Sequence, residues 1–167
     1  MFHEGRVYCT IGQDPMHGRG RGMLSCIDAS KTGDITKTGR VWTYDGIERS
    51  IASVAISGGL LYVSDLAGHV HCLDEKTGKP CWVHDTKAET WSTPLVADGK
   101  IFVSTKSKLI VLAAGREMKV LSEIPLGSSA YATPVAANGT LFVCSQSYLW
   151  AVEKGAKPAA AVSASFP

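Results

Sequence analysis

Three segments of the chain align without a gap at intervals of 40 residues, and this repeat limits the available folds more than any other feature. The segments are ASVAISGGLLYV (52–63), STPLVADGKIFV (92–103) and ATPVAANGTLFV (132–143). Each is predicted to form two short strands around a two-residue turn, at Ser57-Gly58, Asp98-Gly99 and Asn138-Gly139. A unit this small cannot bury its own apolar face, so the repeat predicts stacked units that share a core.

Each repeat continues into further strands. A third strand is predicted at HVHCLD (69–74), KLIVLA (108–113) and YLWAVE (148–153), and a fourth at CWVHD (81–85). No stretch of ten residues keeps the 3.6-residue periodicity of a helix. The unit is therefore predicted to be a four-stranded antiparallel sheet, with essentially no helix in the chain.

An earlier, expanded copy precedes these three. GRVYCT (5–10) matches GLLYVS (59–64), LSCID (24–28) matches VHCLD (70–74), and TGDITKTGRVW (32–42) matches TGKPCW (77–82) with five residues added. A long Gly-rich loop, residues 11–23, takes the place of the short turn at 65–68. The chain therefore carries four copies of the unit.

Four such copies predict the fold class: an all-β chain that forms a β-propeller of four-stranded antiparallel blades, about four in number, as a partial or half propeller. A sandwich or a closed barrel would not require the same glycine turn to recur in register. The blades are expected at 5–43, 50–85, 90–125 and 130–153. Together they form one domain, 1–153, and residues 154–167 are expected to be a flexible tail.

The copies differ in their number of strands. The first copy is expected to begin at its second strand, because nothing before Gly5 resembles an apolar inner strand, and the last copy to end after Glu153. A tally of three, four, four and three strands is typical of half of a seven- or eight-bladed ring. Exposed blade edges favour association. We therefore expect self-association that completes the propeller or capture by a protein partner, with a solitary four-bladed ring as the alternative.

The glycine and aromatic-valine pattern followed by LDEKTGKPCW (73–82) resembles the PQQ-like, or quinoprotein-type, repeat family of β-propellers. The resemblance covers residues 5–152. The family implies one of two roles: a dehydrogenase that holds pyrroloquinoline quinone and calcium on the propeller axis, or a scaffold without cofactor, such as the lipoprotein of the outer-membrane barrel-assembly machine. The chain is also similar to uncharacterised envelope propellers of planctomycete-type bacteria.

Two observations favour the role without cofactor. Dehydrogenases of this family usually carry two adjacent cysteines near the quinone, whereas Cys9, Cys26, Cys72, Cys81 and Cys144 are all separated. A quinone on the axis also needs a full ring, and four blades are fewer than the family's rings contain. We therefore expect no cofactor and no metal. The cysteines are expected to be small buried strand residues rather than disulfides or zinc ligands.

Composition excludes several other classes. Lys and Arg total 17 against 15 Asp and Glu, and the two signs are interspersed, so no basic stripe for nucleic acid is indicated. No apolar run is long enough for a transmembrane segment, and residues 1–4 begin no signal peptide. A periplasmic or cell-envelope location is implied by the resemblance alone. No catalytic triad, nucleotide-binding motif or carboxylate pair stands out.

The polar residues of LDEKTGKPCW are interpreted as architecture. Asp74, Thr77 and Gly78 recur as Asp28, Thr32 and Gly33, and Trp82 recurs as Trp42. Residues that recur in each blade are expected to accept turn N–H groups, to supply a positive φ and to pack between blades.

His69 and His71 lie two residues apart, so their side chains share one face of a strand and could bind a metal with a third donor such as His84. No third residue has a diagnostic spacing, and we interpret these histidines as surface or inter-blade residues.

Residues that differ between blades at equivalent positions are better candidates for function. Before each inner strand lie Arg49, then Glu89 and Trp91, then Tyr131, at a rim where propellers usually bind ligands and partners. A second candidate is the loop 12–22, with His17, Arg19 and Arg21. These seven residues form the predicted binding patch, and the alternative interpretation is ordinary rim packing and an inert insertion.

The sequence therefore predicts a non-catalytic propeller that mediates protein–protein contact, as an accessory subunit of a bacterial cell-envelope complex. One alternative is a fragment of a quinone-dependent dehydrogenase. The other is a carbohydrate- or peptide-binding propeller, which rests on Trp91 and Tyr131.

Overall fold

A computed structural model describes residues 1–12 and 20–160, and in these ranges the chain forms fifteen strands and no helix. The strands are β1 Phe2–His3, β2 Arg6–Ile11, β3 Met23–Asp28, β4 Arg40–Tyr44, β5 Ala55–Ser57, β6 Leu60–Ser64, β7 His69–Asp74, β8 Pro80–Asp85, β9 Leu95–Ala97, β10 Lys100–Ser104, β11 Lys108–Ala113, β12 Val120–Pro125, β13 Val135–Ala137, β14 Thr140–Cys144 and β15 Leu149–Glu153.

The strands form four separate antiparallel sheets, which we call blades 1 to 4. Their strand orders are β1-β2-β3-β4, β5-β6-β7-β8, β9-β10-β11-β12 and β13-β14-β15. Each sheet pairs strands in chain order, which is the meander that the repeat predicts. The predicted all-β propeller with about four blades is confirmed.

The first blade corrects the predicted strand tally. β1 pairs with β2 through Phe2↔Val7 and His3↔Arg6, so blade 1 has four strands rather than three. Two residues suffice because the Glu4-Gly5 turn brings Phe2 and His3 back alongside β2. The predicted turn at Ser57-Gly58 is also one residue early, since Gly58 and Gly59 are the residues with positive φ.

The same turn joins the first two strands of all four blades. Its two central residues have φ values between 47° and 78° in each case: Glu4-Gly5, Gly58-Gly59, Asp98-Gly99 and Asn138-Gly139. Positive φ at both positions defines the hairpin turn whose twist matches that of paired strands. Glycine in the second position removes the Cβ that would oppose this conformation.

The core lies between the blades. Three buried clusters occur, one between each pair of consecutive blades. In the middle cluster, Tyr62 and Cys72 of blade 2 pack against Ile110 and Leu112 of blade 3. Blades 2 and 3 are thus covered on both faces, whereas blades 1 and 4 are each covered on one face only. The described residues form an open arc and not a closed ring.

The cysteines depart from the prediction. All five lie on strands and are free, but only Cys26 and Cys72 are buried. Each of these two lies between a tyrosine and a tryptophan of the neighbouring strands, in the rows Tyr8–Cys26–Trp42 and Tyr62–Cys72–Trp82. Burial raises the pKa of the Cys72 thiol to about 12, which keeps it protonated. Cys9 and Cys144 are exposed because they lie on uncovered faces of the end blades.

The corner of blade 2 confirms the structural interpretation of LDEKTGKPCW. Asp74 Oδ1 accepts hydrogen bonds from the backbone N–H and the hydroxyl of Thr77, at 3.1 and 2.9 Å. Trp42 of blade 1 packs over Gly78 and donates from its indole Nε1 to the Glu75 carbonyl at 3.1 Å. Trp82 donates in the same way to Gly115 of blade 3, at 2.9 Å. The tryptophans therefore connect each blade to the next.

An ion pair across blades 2 and 3 gives a prediction about pH. Arg116 Nη2 lies 2.6 Å from Asp74 Oδ2, and its hydrogen bond together with that of Thr77 lowers the pKa of Asp74 to about 2. Because an unperturbed Asp has a pKa of about 3.9, the contribution of this pair to stability is present above about pH 4 and is lost as the pH falls through about 2. A carboxyl NMR titration is expected to give this value.

Two variants in the segment that connects β11 to β12 serve as the comparison in that titration. Arg116→Gln is expected to return the pKa of Asp74 toward its ordinary value. Lys119→Gln, which removes the same charge three residues away, is expected to leave it low. An unchanged pKa in Arg116→Gln would rule out the guanidinium as the main cause.

Candidate functional site

One rim of the arc gathers the segments that differ between blades. The connections from each blade to the next, residues 45–54, 86–94 and 126–134, leave from the ends of β4, β8 and β12. The turns between the second and third strands of blades 2 to 4 lie at the same rim, because antiparallel strands alternate in direction. We call this edge the variable rim.

A hydrogen bond that recurs every 40 residues fixes the backbone of the variable rim. Leu66 N donates to Arg49 O at 2.8 Å, Lys106 N to Glu89 O at 2.9 Å, and Gln146 N to Ser129 O at 2.9 Å. The backbone positions are therefore equivalent in blades 2 to 4, whereas the side chains they present differ. This arrangement separates a constant frame from variable side chains, as in other loops that carry function on a rigid scaffold.

Four of the predicted patch residues lie along this rim. Arg49, Glu89 and Trp91 line a cavity of about 340 Å³, together with Glu48, Leu66, Ala67 and His69. The rings of Trp91 and Tyr131 are 5.3 Å apart between centroids, with an angle of 58° between their planes. Trp91 is 41% exposed and Tyr131 is 36% exposed. The structure thus brings Arg49, Glu89, Trp91 and Tyr131 into one continuous surface.

The described ends of the Gly-rich loop contact the same rim. A Cβ on Gly22 would lie 2.0 Å from the Glu48 carbonyl oxygen, and a Cβ on Gly12 would lie 2.9 Å from Arg49 Cα. The backbones of Arg21 and Glu48 form an isolated antiparallel β-bridge. Glycine at positions 12 and 22 therefore permits close approach of the loop base to the first connection. His17 and Arg19 lie outside the described residues.

A buried carboxylate joins the two predicted histidines. Asp65, in the turn between β6 and β7, accepts from the backbone N–H of Glu48 and of His69, at 3.2 and 2.9 Å. His69 Nδ1 lies 3.2 Å and His71 Nε2 lies 3.1 Å from Asp65 Oδ2. Burial alone would favour the neutral carboxyl, but the hydrogen bonds from His71 and the His69 N–H outweigh it and lower the pKa of Asp65.

The third donor named from the sequence, His84, is not part of this cluster. His84 pairs with Val70, whereas His69 and His71 pair with Asp85 and Val83, so His84 faces the opposite side of the sheet. Asp65 takes its place. Its equivalents in the next blades are Thr105 and Ser145, whose hydroxyls accept from the backbone of the same turn. The turn position therefore recurs, and among blades 2 to 4 blade 2 alone places a carboxylate there.

The described lining of the rim cavity does not supply the cationic groups that would hold an anionic quinone on its own. Among the described residues that line this cavity, one guanidinium, Arg49, stands beside two carboxylates, Glu48 and Glu89. An anionic quinone needs an excess of cationic groups at such a place. The adjacent cysteines typical of the quinone enzymes are absent from the sequence.

Comparisons with known proteins place the chain among propellers of one family. A family model described as outer membrane protein assembly factor BamB matches residues 20–123. BamB from Moraxella catarrhalis has a similar structure, with a TM-score of 0.66 and 20% sequence identity over 78% of this chain and 40% of that protein. A search of curated proteins found no match.

Two further solved structures share the fold. Quinohemoprotein alcohol dehydrogenase ADHIIG from Pseudomonas putida HK5 has a TM-score of 0.65 and 15% identity over 84% of this chain and 27% of its own. The computationally designed Ika4 protein has a TM-score of 0.65 and 10% identity, over 90% of this chain and 88% of its own. The chain thus spans less than half the length of the two natural proteins.

Within the described ranges no helix could cross a membrane. The match covers more than half of the chain, and the resemblance to PQQ-like repeats is confirmed. The four blades, the recurring hairpin turn and the inter-blade tryptophans are those of a PQQ-repeat β-propeller, and the chain belongs to the BamB-like family of these propellers.

Proposed function

We propose that the chain is a non-catalytic propeller scaffold that binds other proteins, and that it serves as an accessory subunit of a bacterial cell-envelope complex. The observation that carries this proposal is the pair of uncovered apolar faces at the two ends of the arc. Membership of a family described by an outer-membrane assembly factor supports the envelope location.

The uncovered face of blade 4 has the composition of an inner blade face. Strand register places Val135, Phe142, Ala151 and Leu149 on the side away from blade 3. The equivalent side of blade 2 carries Tyr62 and Cys72, which are fully covered by blade 3. Leu149 is instead 69% exposed. An apolar surface of this kind favours burial against another sheet.

The uncovered face of blade 1 is complementary in character. Phe2, Val7, Ile11 and Met23 share the side away from blade 2. Phe2 is 66% exposed, and Ile11 is also exposed. Glu153, paired with Thr140, lies at one end of the blade 4 face, so the apolar residues occupy the rest of that face.

We infer that a second copy of the chain covers these faces when the chain is alone. A two-fold axis would place blade 4 of each copy against blade 1 of the other, which closes a ring without leaving an edge. In the cell, blades of another chain or a longer chain can occupy the same faces through the same contacts.

The variable rim is the second contact surface in this proposal. Trp91 and Tyr131 form an exposed aromatic pair beside Arg49, and aromatic and arginine residues dominate the energetics of protein interfaces. The rim remains accessible whether or not the end faces are covered. We therefore propose that the end faces complete the propeller and that the rim binds the partner of the complex.

The experiment that tests this function is affinity capture from an envelope extract with matched variants. Wild type is expected to retain a defined partner. The double variant Trp91→Ala/Tyr131→Ala is expected to weaken binding by at least about 30-fold, since the loss of even one interface hot spot costs about 2 kcal/mol or more. The control is Leu121→Ala, which removes an exposed apolar side chain on β12, the outer strand of blade 3, away from the variable rim.

Two results would contradict the proposal. Bound quinone and calcium in the purified chain, detected by absorbance and metal analysis, would favour the dehydrogenase-fragment alternative. Specific binding of glycans or short peptides that depends on Trp91 and Tyr131, with no protein partner retained, would favour the carbohydrate- or peptide-binding alternative.

A further inference from the structure

We propose that Asp65, His69 and His71 form a binding site for a zinc-class divalent cation at the variable rim. The proposal concerns a site that the scaffold function does not require. It revises the expectation, drawn from the sequence, that the chain binds no metal.

Two features of blade 2 bring the three side chains together. β7 places His69 and His71 on one face, two residues apart. The turn that precedes β7 folds Asp65 back over the start of the strand, and two backbone N–H groups fix its carboxylate. Asp65 has no exposed side-chain surface, and His71 is almost as deeply buried. The ligand atoms therefore have little freedom to move apart.

The separations match those of ligands around one small cation. The Nδ1 atom of His69 and the Nε2 atom of His71 lie 3.2 and 3.1 Å from Asp65 Oδ2, and the three donor atoms lie within 4.8 Å of one another. Tetrahedral zinc with bonds of about 2.0–2.1 Å places its ligand atoms roughly 3.3 Å apart. Two imidazoles with one carboxylate are also a donor set that zinc commonly takes.

The hydrogen bonds around His71 are compatible with a ring whose Nε2 binds a cation. The Tyr44 hydroxyl donates to the Gly46 carbonyl at 3.1 Å, and its oxygen lies 3.2 Å from His71 Nδ1. In the metal-bound arrangement, Tyr44 would keep its proton on Gly46 and accept from His71 Nδ1–H, which would leave Nε2 of the neutral ring free to bind the cation. A cation between Nε2 and Asp65 would satisfy both lone pairs. Tyr44 would then orient the ring, as outer hydrogen-bond partners of metal-bound histidines do.

A fourth coordination position would face the rim cavity. His69 lines this cavity of about 340 Å³, together with the carboxylates Glu48 and Glu89 and the guanidinium of Arg49. The two carboxylates offset the charge of Arg49, so the cavity presents no net barrier to a cation. Three protein ligands and one open position would leave room for a water molecule or an oxygen ligand from a partner.

Without a metal, the same three residues form hydrogen bonds in which both imidazoles donate to the carboxylate. When a metal binds neutral His69 through Nδ1 and neutral His71 through Nε2, each ring proton moves to the other nitrogen of its ring. No net proton is taken up or released. The two arrangements therefore compete for the same atoms, and the test must separate them.

The experiment is titration of the full chain with Co²⁺, followed by its visible absorption, and competition with Zn²⁺. We expect one ion per chain, with bands typical of nitrogen and oxygen ligands and without the charge-transfer band of a thiolate. His69→Ala is expected to weaken binding by more than about 100-fold, because even loss of an outer hydrogen bond costs roughly 10–100-fold. His84→Ala, on the opposite face of the same blade, is expected to bind normally.

Three controls keep the proposal open to contradiction. His69 is partly exposed, so His69→Ala is expected to fold even where replacement of the buried His71 does not, and circular dichroism checks this. Zn²⁺ is expected to raise the melting temperature of wild type and of His84→Ala but not that of His69→Ala. The absence of saturable binding, a thiolate charge-transfer band, or equal affinity in His69→Ala would each overturn the proposal.

Discussion

Replacing Leu112 with alanine is expected to lower the free energy of unfolding by about 2–5 kcal/mol. Leu112 is fully buried in the cluster between blades 2 and 3, where it pairs with Ile101 on the neighbouring strand. Removal of its side chain leaves a cavity between two sheets. Neither sheet can close the cavity without shifting against a blade on its other face, so the full cost of the lost contacts is expected to appear.

The matched control is Leu121→Ala in the same blade. Leu121 lies on β12 and is exposed, so its truncation is expected to change stability by no more than about 0.5 kcal/mol. Urea unfolding followed by circular dichroism measures both variants. Equal effects at the two positions would contradict the assignment of the main core to the spaces between blades.

Gly78→Ala is expected to destabilise the chain by about 2–5 kcal/mol, for two separate reasons. The residue has a φ of +69°, a conformation that costs an L-residue about 1–2 kcal/mol. A Cβ at this position would also lie 2.5 Å from Cε3 of Trp42, and displacing a packed ring costs about 1–3 kcal/mol. The near-UV circular dichroism of Trp42 is therefore expected to change as well.

Gly33→Ala separates these two causes. Gly33 occupies the equivalent corner in blade 1, with a φ of +74°, but a Cβ there would meet no atom within 4 Å. Gly33→Ala is expected to lower the free energy of unfolding only by the cost of the positive φ, about 1–2 kcal/mol, and to leave the tryptophan signal unchanged. If both variants behave alike in stability and in the tryptophan signal, then Trp42 does not rest on Gly78 and the inter-blade contact is misplaced.

The fold could be predicted from the sequence because the same strand-turn-strand pattern recurs in several copies along the chain. Gly59, Gly99 and Gly139 each mark the same hairpin turn, so one misread copy could be corrected against the others. The missing strand of blade 1 shows where this fails. Phe2 and His3 are too few to display an alternating pattern, and only the Glu4-Gly5 turn, aligned with Asp98-Gly99, could have indicated them.

The candidate site was harder to predict from the sequence than the fold, because the site depends on strand register and on the conformation of turns. His69 and His71 share a face by simple alternation, but the position of His84 depends on a bulge between Cys72 and Leu73 that the sequence does not mark. The repeat does not single out Asp65, because the equivalent turn positions of the next blades are occupied by Thr105 and Ser145. The sequence signal for Asp65 is the change from a hydroxyl residue to a carboxylate at this turn position.

The rim residues illustrate what the sequence can predict and what it cannot. Variation among Arg49, Glu89 and Ser129 at equivalent positions pointed to the variable rim, and the recurring backbone hydrogen bonds there explain why side chains can vary freely. The contact between the rings of Trp91 and Tyr131, 40 residues apart, required the distance between neighbouring blades.

The central claim is that the end faces of this arc are surfaces for blade-to-blade packing, and the solution mass of the purified chain tests it most directly. Light scattering over a range of concentrations is expected to give twice the mass of one chain for wild type. Leu149→Glu, which places a charge on the uncovered face of blade 4, is expected to give the monomer, and Leu121→Glu on the outer strand of blade 3 is expected to remain a dimer. A monomer at every concentration for all three proteins would contradict the claim.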